Sequence, residues 1–113
     1  MPPVDIPPPP TALMAIVPAW LAFDSNRIGK RQVFAINSIA AEWKRLTEGG
    51  DNDFEPAFSP DGRTLAFTSD RGGTAQVYLK DLASGETRKL TEEPRGASQA
   101  DWSRDGRSVV YRG

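Results

Sequence analysis

Cysteine and histidine are both absent from the 113 residues. Thiol nucleophiles, disulfides, histidine-based triads and the familiar zinc sites each need one of the two. Any catalysis would have to run on carboxylates, lysine, tyrosine, serine or threonine. An excess of one charge is also missing: 14 basic and 15 acidic side chains give a net charge of −1, with the signs interspersed. Without clustered cations to displace counterions from a phosphate backbone, no nucleic-acid partner and no polybasic membrane-surface site are expected. Long apolar runs are missing too. The most apolar stretch, Thr11 to Phe23, has 13 residues, too few to cross a hydrocarbon core of ~30 Å as a helix. No lysine or arginine precedes Arg27, so this stretch lacks the basic flank of a secretory signal. It is expected to form buried strands rather than a membrane insertion.

Turn formers are abundant, with ten prolines and ten glycines, and the long 3.6-residue periodicity of a helical bundle is missing. Six of the prolines fall between Met1 and Pro10. That segment lacks most of the amide donors a helix or strand would use and favours extended polyproline II. Residues 1–12 therefore read as a Pro-rich linker or disordered tail.

An internal repeat decides the fold class. Arg45-Leu46-Thr47-Glu48 returns 44 residues later as Lys89-Leu90-Thr91-Glu92. At the same offset of 44, Ala22-Phe23-Asp24-Ser25-Asn26-Arg27 returns as Ala66-Phe67-Thr68-Ser69-Asp70-Arg71, and Gln32-Val33-Phe34 as Gln76-Val77-Tyr78. Phe58-Ser59-Pro60-Asp61-Gly62-Arg63 returns likewise as Trp102-Ser103-Arg104-Asp105-Gly106-Arg107. A period of about 40 to 45 residues with four strands per unit is the signature of a propeller blade.

In the most complete copy, strands are expected at Glu55–Ser59, Thr64–Thr68, Ala75–Asp81 and Thr87–Thr91. Leu65 and Phe67 would face one way and Ala66 the other, as suits a sheet packed between two neighbours. Ser59-Pro60-Asp61-Gly62 has the residues of a type I turn, and Ala83-Ser84-Gly85-Glu86 reads as a second hairpin. Pro18-Ala19-Trp20 matches Pro56-Ala57-Phe58 at an offset of only 38, so the first copy lacks the turn between its first two strands. The expectation is all-β: a partial β-propeller of about two to two and a half four-stranded antiparallel blades. Its units would be a degenerate first blade over 13–53, a complete central blade over 54–97 and the first half of a third over 98–113. A closed ring cannot be made from so few units.

The run Phe58-Ser59-Pro60-Asp61-Gly62-Arg63-Thr64-Leu65-Ala66-Phe67-Thr68-Ser69-Asp70-Arg71, with Gln76-Val77-Tyr78 and Leu90-Thr91 following, resembles the repeat of the TolB-like β-propeller family. The resemblance extends over about Val17 to Gly113. It implies a non-catalytic scaffold for protein-protein interaction, of the type that works with the Tol-Pal envelope system, and a periplasmic location. The repeat also resembles the propellers attached to prolyl-oligopeptidase-like and tricorn-like serine peptidases. That alternative makes the chain an accessory portion whose catalytic domain lies elsewhere, since the sequence holds no Gly-x-Ser-x-Gly and no histidine. Open blade edges add self-association to the expected protein partners.

Repetition governs how the candidate site residues read. Asp61 and Asp105 resemble a glycosidase carboxylate pair, yet their recurrence at an Asp-Gly turn points to bonding of turn amides, together with Ser59, Gly62, Ser103 and Gly106. Asp70 and Arg71, echoed by Asn26 and Arg27, read as a loop-fixing or inter-blade contact. Asp51, Asp53 and Glu55 make the densest set of hard oxygen ligands and a weak calcium candidate, with a solvated loop as the stronger reading. No cofactor is expected. Trp20, Phe58 and Trp102 are expected in the core, and Trp43 is the aromatic least tied to it.

Overall fold

The computed structural model describes residues 20–26, 29–37, 42–48 and 52–113. The proposed N-terminal tail, Pro18, Ala19, Arg27 and Asp51 lie outside these. The described residues form nine strands in three antiparallel sheets and no helix. The first sheet orders β1 (Trp20–Ser25), β2 (Gln32–Asn37) and β3 (Glu42–Arg45). The second orders β4 (Asp53–Phe58), β5 (Thr64–Ser69), β6 (Gln76–Asp81) and β7 (Thr87–Lys89). The third pairs β8 (Ser98–Trp102) with β9 (Val109–Arg112).

Each sheet is a meander because its turns are short and chemically specified. Between β4 and β5, Gly62 takes φ 74, a left-handed conformation that costs glycine little, and its amide closes on the Ser59 carbonyl at 2.8 Å. Between β6 and β7, the Asp81 carboxylate accepts the Ala83 and Ser84 amides at 2.9 and 3.0 Å. That Asx turn starts the second hairpin two residues before the segment read from the sequence.

The middle sheet is buried on both faces, and alternation along its strands divides its side chains between two cores. Leu65, Phe67 and Tyr78 pack against Val33, Ala35 and Leu46 of the first sheet. Ala66, Val77 and Leu79 pack the other way, against Ala97 and Ala100. The outer faces of the end sheets have no such cover among the described residues. Leu21, the repeat counterpart of fully buried Leu65, is 64% exposed, and Val110, the counterpart of fully buried Ala66, is 66% exposed. Trp43 is half exposed and meets Phe23 edge-on at 5.6 Å.

Two strand boundaries differ from the sequence reading by two residues, the others by no more than one. β4 begins at Asp53, which pairs with Ser69. It tolerates Pro56 because the ladder skips from Phe54 to Ala57 in a bulge, with Glu55 at φ 55; an edge strand at a bulge is where proline does least harm. The outer strand ends at Lys89, not Thr91. Leu90 and Thr91 both turn their amides onto the Val77 carbonyl, and the Thr91 hydroxyl accepts the Val77 amide at 2.9 Å. Thr47 does the same to Val33 at 2.9 Å. The repeated Leu-Thr pair thus buries an apolar side chain and supplies a hydroxyl in place of a ladder carbonyl.

Candidate functional site

The repeated Asp-Gly turns are built alike. In the first, the Ser59 hydroxyl donates to Asp61 Oδ1 at 2.7 Å and accepts the Thr64 amide, while Asp61 Oδ1 also accepts the Arg63 amide at 3.0 Å. In the second, Ser103 donates to Asp105 at 2.6 Å, Arg107 donates its amide to Asp105 and Ser108 to Ser103. Burial pushes the Asp61 carboxyl up, but the Ser59 hydroxyl, the Arg63 amide and the Arg63 guanidinium hold it below its ordinary value. Asp105 is held down by the Ser103 hydroxyl and then the Arg107 amide. Each carboxylate is occupied within its own turn.

The seam between the first two sheets gathers around Arg71. Its Nε donates to the Ser69 hydroxyl at 2.9 Å, and its Nη2 to Asp53 Oδ1 at 3.0 Å and to the Glu48 carbonyl at 3.4 Å. The guanidinium also lies over the Phe67 and Tyr78 rings, 5.3 and 5.1 Å from their centroids, where a cation is attracted by the ring faces. Asp53 is buried, and its Oδ2 has no hydrogen-bond partner among the described residues. Asp70 turns to the neighbouring loop instead, accepting the Asn52 amide at 2.8 Å and its side-chain nitrogen at 3.3 Å. Asp70 and Arg71 thus serve different neighbours, one the loop before β4 and the other the sheet seam.

Beside Arg71 lies a cavity of about 240 Å³ lined by Thr47, Glu48, Phe67, Lys80 and Thr87. Lys80 reaches across it to donate to the Leu46 carbonyl of the first sheet. Burial pushes the Lys80 ammonium down, with Glu48 acting in the opposite sense.

The two described carboxylates of the calcium candidate, Asp53 and Glu55, do not converge. Asp53 faces Arg71, whereas Glu55 Oε1 accepts the Thr68 hydroxyl at 3.0 Å and the Gln99 amide at 3.1 Å. Among the described residues, no group of three or more acidic side chains is placed to hold a metal ion. Of the four aromatics, Trp20 and Phe58 pack on the first core and Trp102 on the second. The Trp102 indole also donates to the Ala57 carbonyl across the seam at 2.9 Å. Sequence reasoning passed over Lys80, Asp81 and the inter-sheet role of Glu55; only Asp81, standing before a Ser-Gly hairpin, carries a local signal.

The geometry agrees with known structures. TolB from Acinetobacter baumannii superposes with a TM-score of 0.74 at 26% identity, over 82% of this chain and 23% of that one. A TolB candidate from Agrobacterium tumefaciens gives a TM-score of 0.76 at 24% identity, over 82% of this chain and 34% of its own. The acylaminoacyl peptidase of Pyrococcus horikoshii shares the fold at a TM-score of 0.58 and 21% identity, over 81% of this chain and 15% of that one. The chain therefore spans a quarter to a third of the TolB structures it matches. No curated protein sequence matches it. Residues 16–113 match the TolB beta propeller domain model, and the chain belongs to that family.

Proposed function

We propose that the chain contributes to a non-catalytic scaffold for protein-protein interaction, as the TolB propeller does in the Tol-Pal envelope system, with the periplasm as its place of work. The observation that carries this reading is the TolB match over residues 16–113. It is supported by the use to which the reactive side chains are put. Asp53, Glu55, Asp61, Asp70, Asp81 and Asp105 all accept hydrogen bonds from neighbouring protein groups, as a framework requires. On this reading residues 13–53, 54–97 and 98–113 are a degenerate blade, a complete blade and half a blade, with Asp53, which opens β4, going with the complete one, and the repeated Ser-Asp-Gly residues are structural. Open blade edges offer a route to self-association as well as to other proteins.

The test is isothermal titration of the gene product with the soluble domain of the Pal lipoprotein, run beside assays on peptide and glycoside substrates. Saturable binding without hydrolysis is expected. Hydrolysis that disappears on substitution of residues in 20–113 would overturn the reading. The alternative, an accessory propeller of a serine peptidase, draws on the fold likeness to the acylaminoacyl peptidase. A hydrolase domain in the same reading frame would favour it.

A further inference from the structure

β8 also bulges, its ladder skipping from Ser98 to Asp101, and the two bulges carry the same unusual backbone 44 residues apart: Glu55 at φ 55 and Gln99 at φ 56. Neither is glycine, so each conformation is strained and must be held by its surroundings. A bulge also removes one amide from the ladder, and that amide needs an acceptor elsewhere. For Glu55 the acceptor comes from the sheet before: Asp24 Oδ2 takes the Glu55 amide at 3.1 Å, while its Oδ1 is held by Arg31 at 2.8 Å.

One repeat later the residue in the place of Asp24 is Thr68. Its hydroxyl hydrogen is spent on Glu55 Oε1 at 3.0 Å. The same carboxylate oxygen then accepts the Gln99 amide at 3.1 Å, across the seam to the third sheet. Glu55 thus supplies the acceptor that the change from Asp24 to Thr68 moved away from the β5 position. The arrangement recurs at the next step. Arg112 stands where Thr68 stood and donates its Nη1 to Gln99 Oε1 at 3.2 Å, an oxygen with a second lone pair to offer.

We propose that Glu55 is the positioning residue that fixes the register of the third sheet on the second. Its bulge side chain, held by a donor from the adjoining strand, accepts the Gln99 amide at the bulge of β8. A one-residue slip of β8 would present a laddered amide to Glu55 and turn Ala100 away from the second core. It would also withdraw the Trp102 indole from the Ala57 carbonyl, so both contacts report the same register.

Hydrogen exchange at the Gln99 amide, referenced to the Val77 amide inside the second sheet, tests the proposal in the full chain. Glu55→Ala is expected to speed Gln99 exchange on the order of tenfold or more relative to Val77, since a hydrogen bond to a charged acceptor is lost. Trp102 emission should shift to the red in the same variant. Glu55→Gln keeps an acceptor oxygen at the same reach, as Gln99 itself does, and should restore most of the protection. Thr68→Val removes the holding donor and should give a smaller acceleration at Gln99. Unchanged Gln99 exchange in Glu55→Ala would overturn the proposal, and so would equal losses in the Ala and Gln variants. Should Glu55→Ala fail to fold, the Glu55→Gln and Thr68→Val pair decides: protection in the first and loss in the second support it, and any other order refutes it.

Discussion

Replacing Arg71 by alanine tests how much of the fold depends on one polar seam. Asp53 is 1% exposed, with one carboxylate oxygen bonded to Arg71 and the other unpartnered among the described residues. Removing the guanidinium leaves the carboxylate buried without its cation, a change that costs roughly 3–5 kcal/mol in buried pairs. The Arg71 side chain is 25% exposed, so water can reach the gap and the lower end applies. Loss of the cation over two rings adds about 0.5–1 kcal/mol. The expected total is about 3–4 kcal/mol, a large share of the ~5–15 kcal/mol available to a domain. Urea unfolding followed by circular dichroism measures it, provided the m-value holds. The mechanism makes a second demand. Asp53→Asn in the Arg71→Ala background removes the stranded charge and should recover about 1–2 kcal/mol. A single variant losing less than about 1 kcal/mol, or a double variant no more stable than the single, would refute the reasoning.

Leu65→Ala and Leu21→Ala alter the same position of the repeat, one fully buried and one 64% exposed. The first should cost about 3–4 kcal/mol and the second under about 1 kcal/mol in the same urea titration. Gly62→Ala places a Cβ on a residue at φ 74; thermal unfolding should show a loss of about 1 kcal/mol or more. Asp61 has its pKa depressed in the fold, so its stabilisation is present above the unfolded carboxylate value of about 3.9 and disappears as pH falls through the lower folded value. The stability gap between the parent and Asp61→Asn should therefore be full at pH 6 and shrink below about pH 4 in a series of unfolding curves.

What the sequence made legible was local or repeated. Ser59-Pro60-Asp61-Gly62 announces its turn because all the partners lie within five residues. Alternation of Leu65, Ala66 and Phe67 was enough to expect a sheet covered on both sides. The Leu-Thr pairs at 46–47 and 90–91 were visible as a repeat, but not the hydroxyl's substitution for a ladder carbonyl, which depends on where the outer strand leaves its neighbour. The sequence places Glu55 at the start of a strand and in a weak calcium candidate, because nothing in a glutamate between Phe54 and Pro56 signals a left-handed bulge. The meeting of Arg71 with Asp53 joins residues 18 apart in sequence, and no local spacing rule reaches so far.

The division of the middle sheet between two cores bears on how the chain comes apart. Neither core is shared by all three sheets, so each is sealed by one pair of neighbours only. Cooperativity then passes along a one-dimensional stack, and an end sheet can detach while the opposite core stays closed. Partial unfolding would run inward from the rims, and residues 64–79 would be the last to exchange their amides.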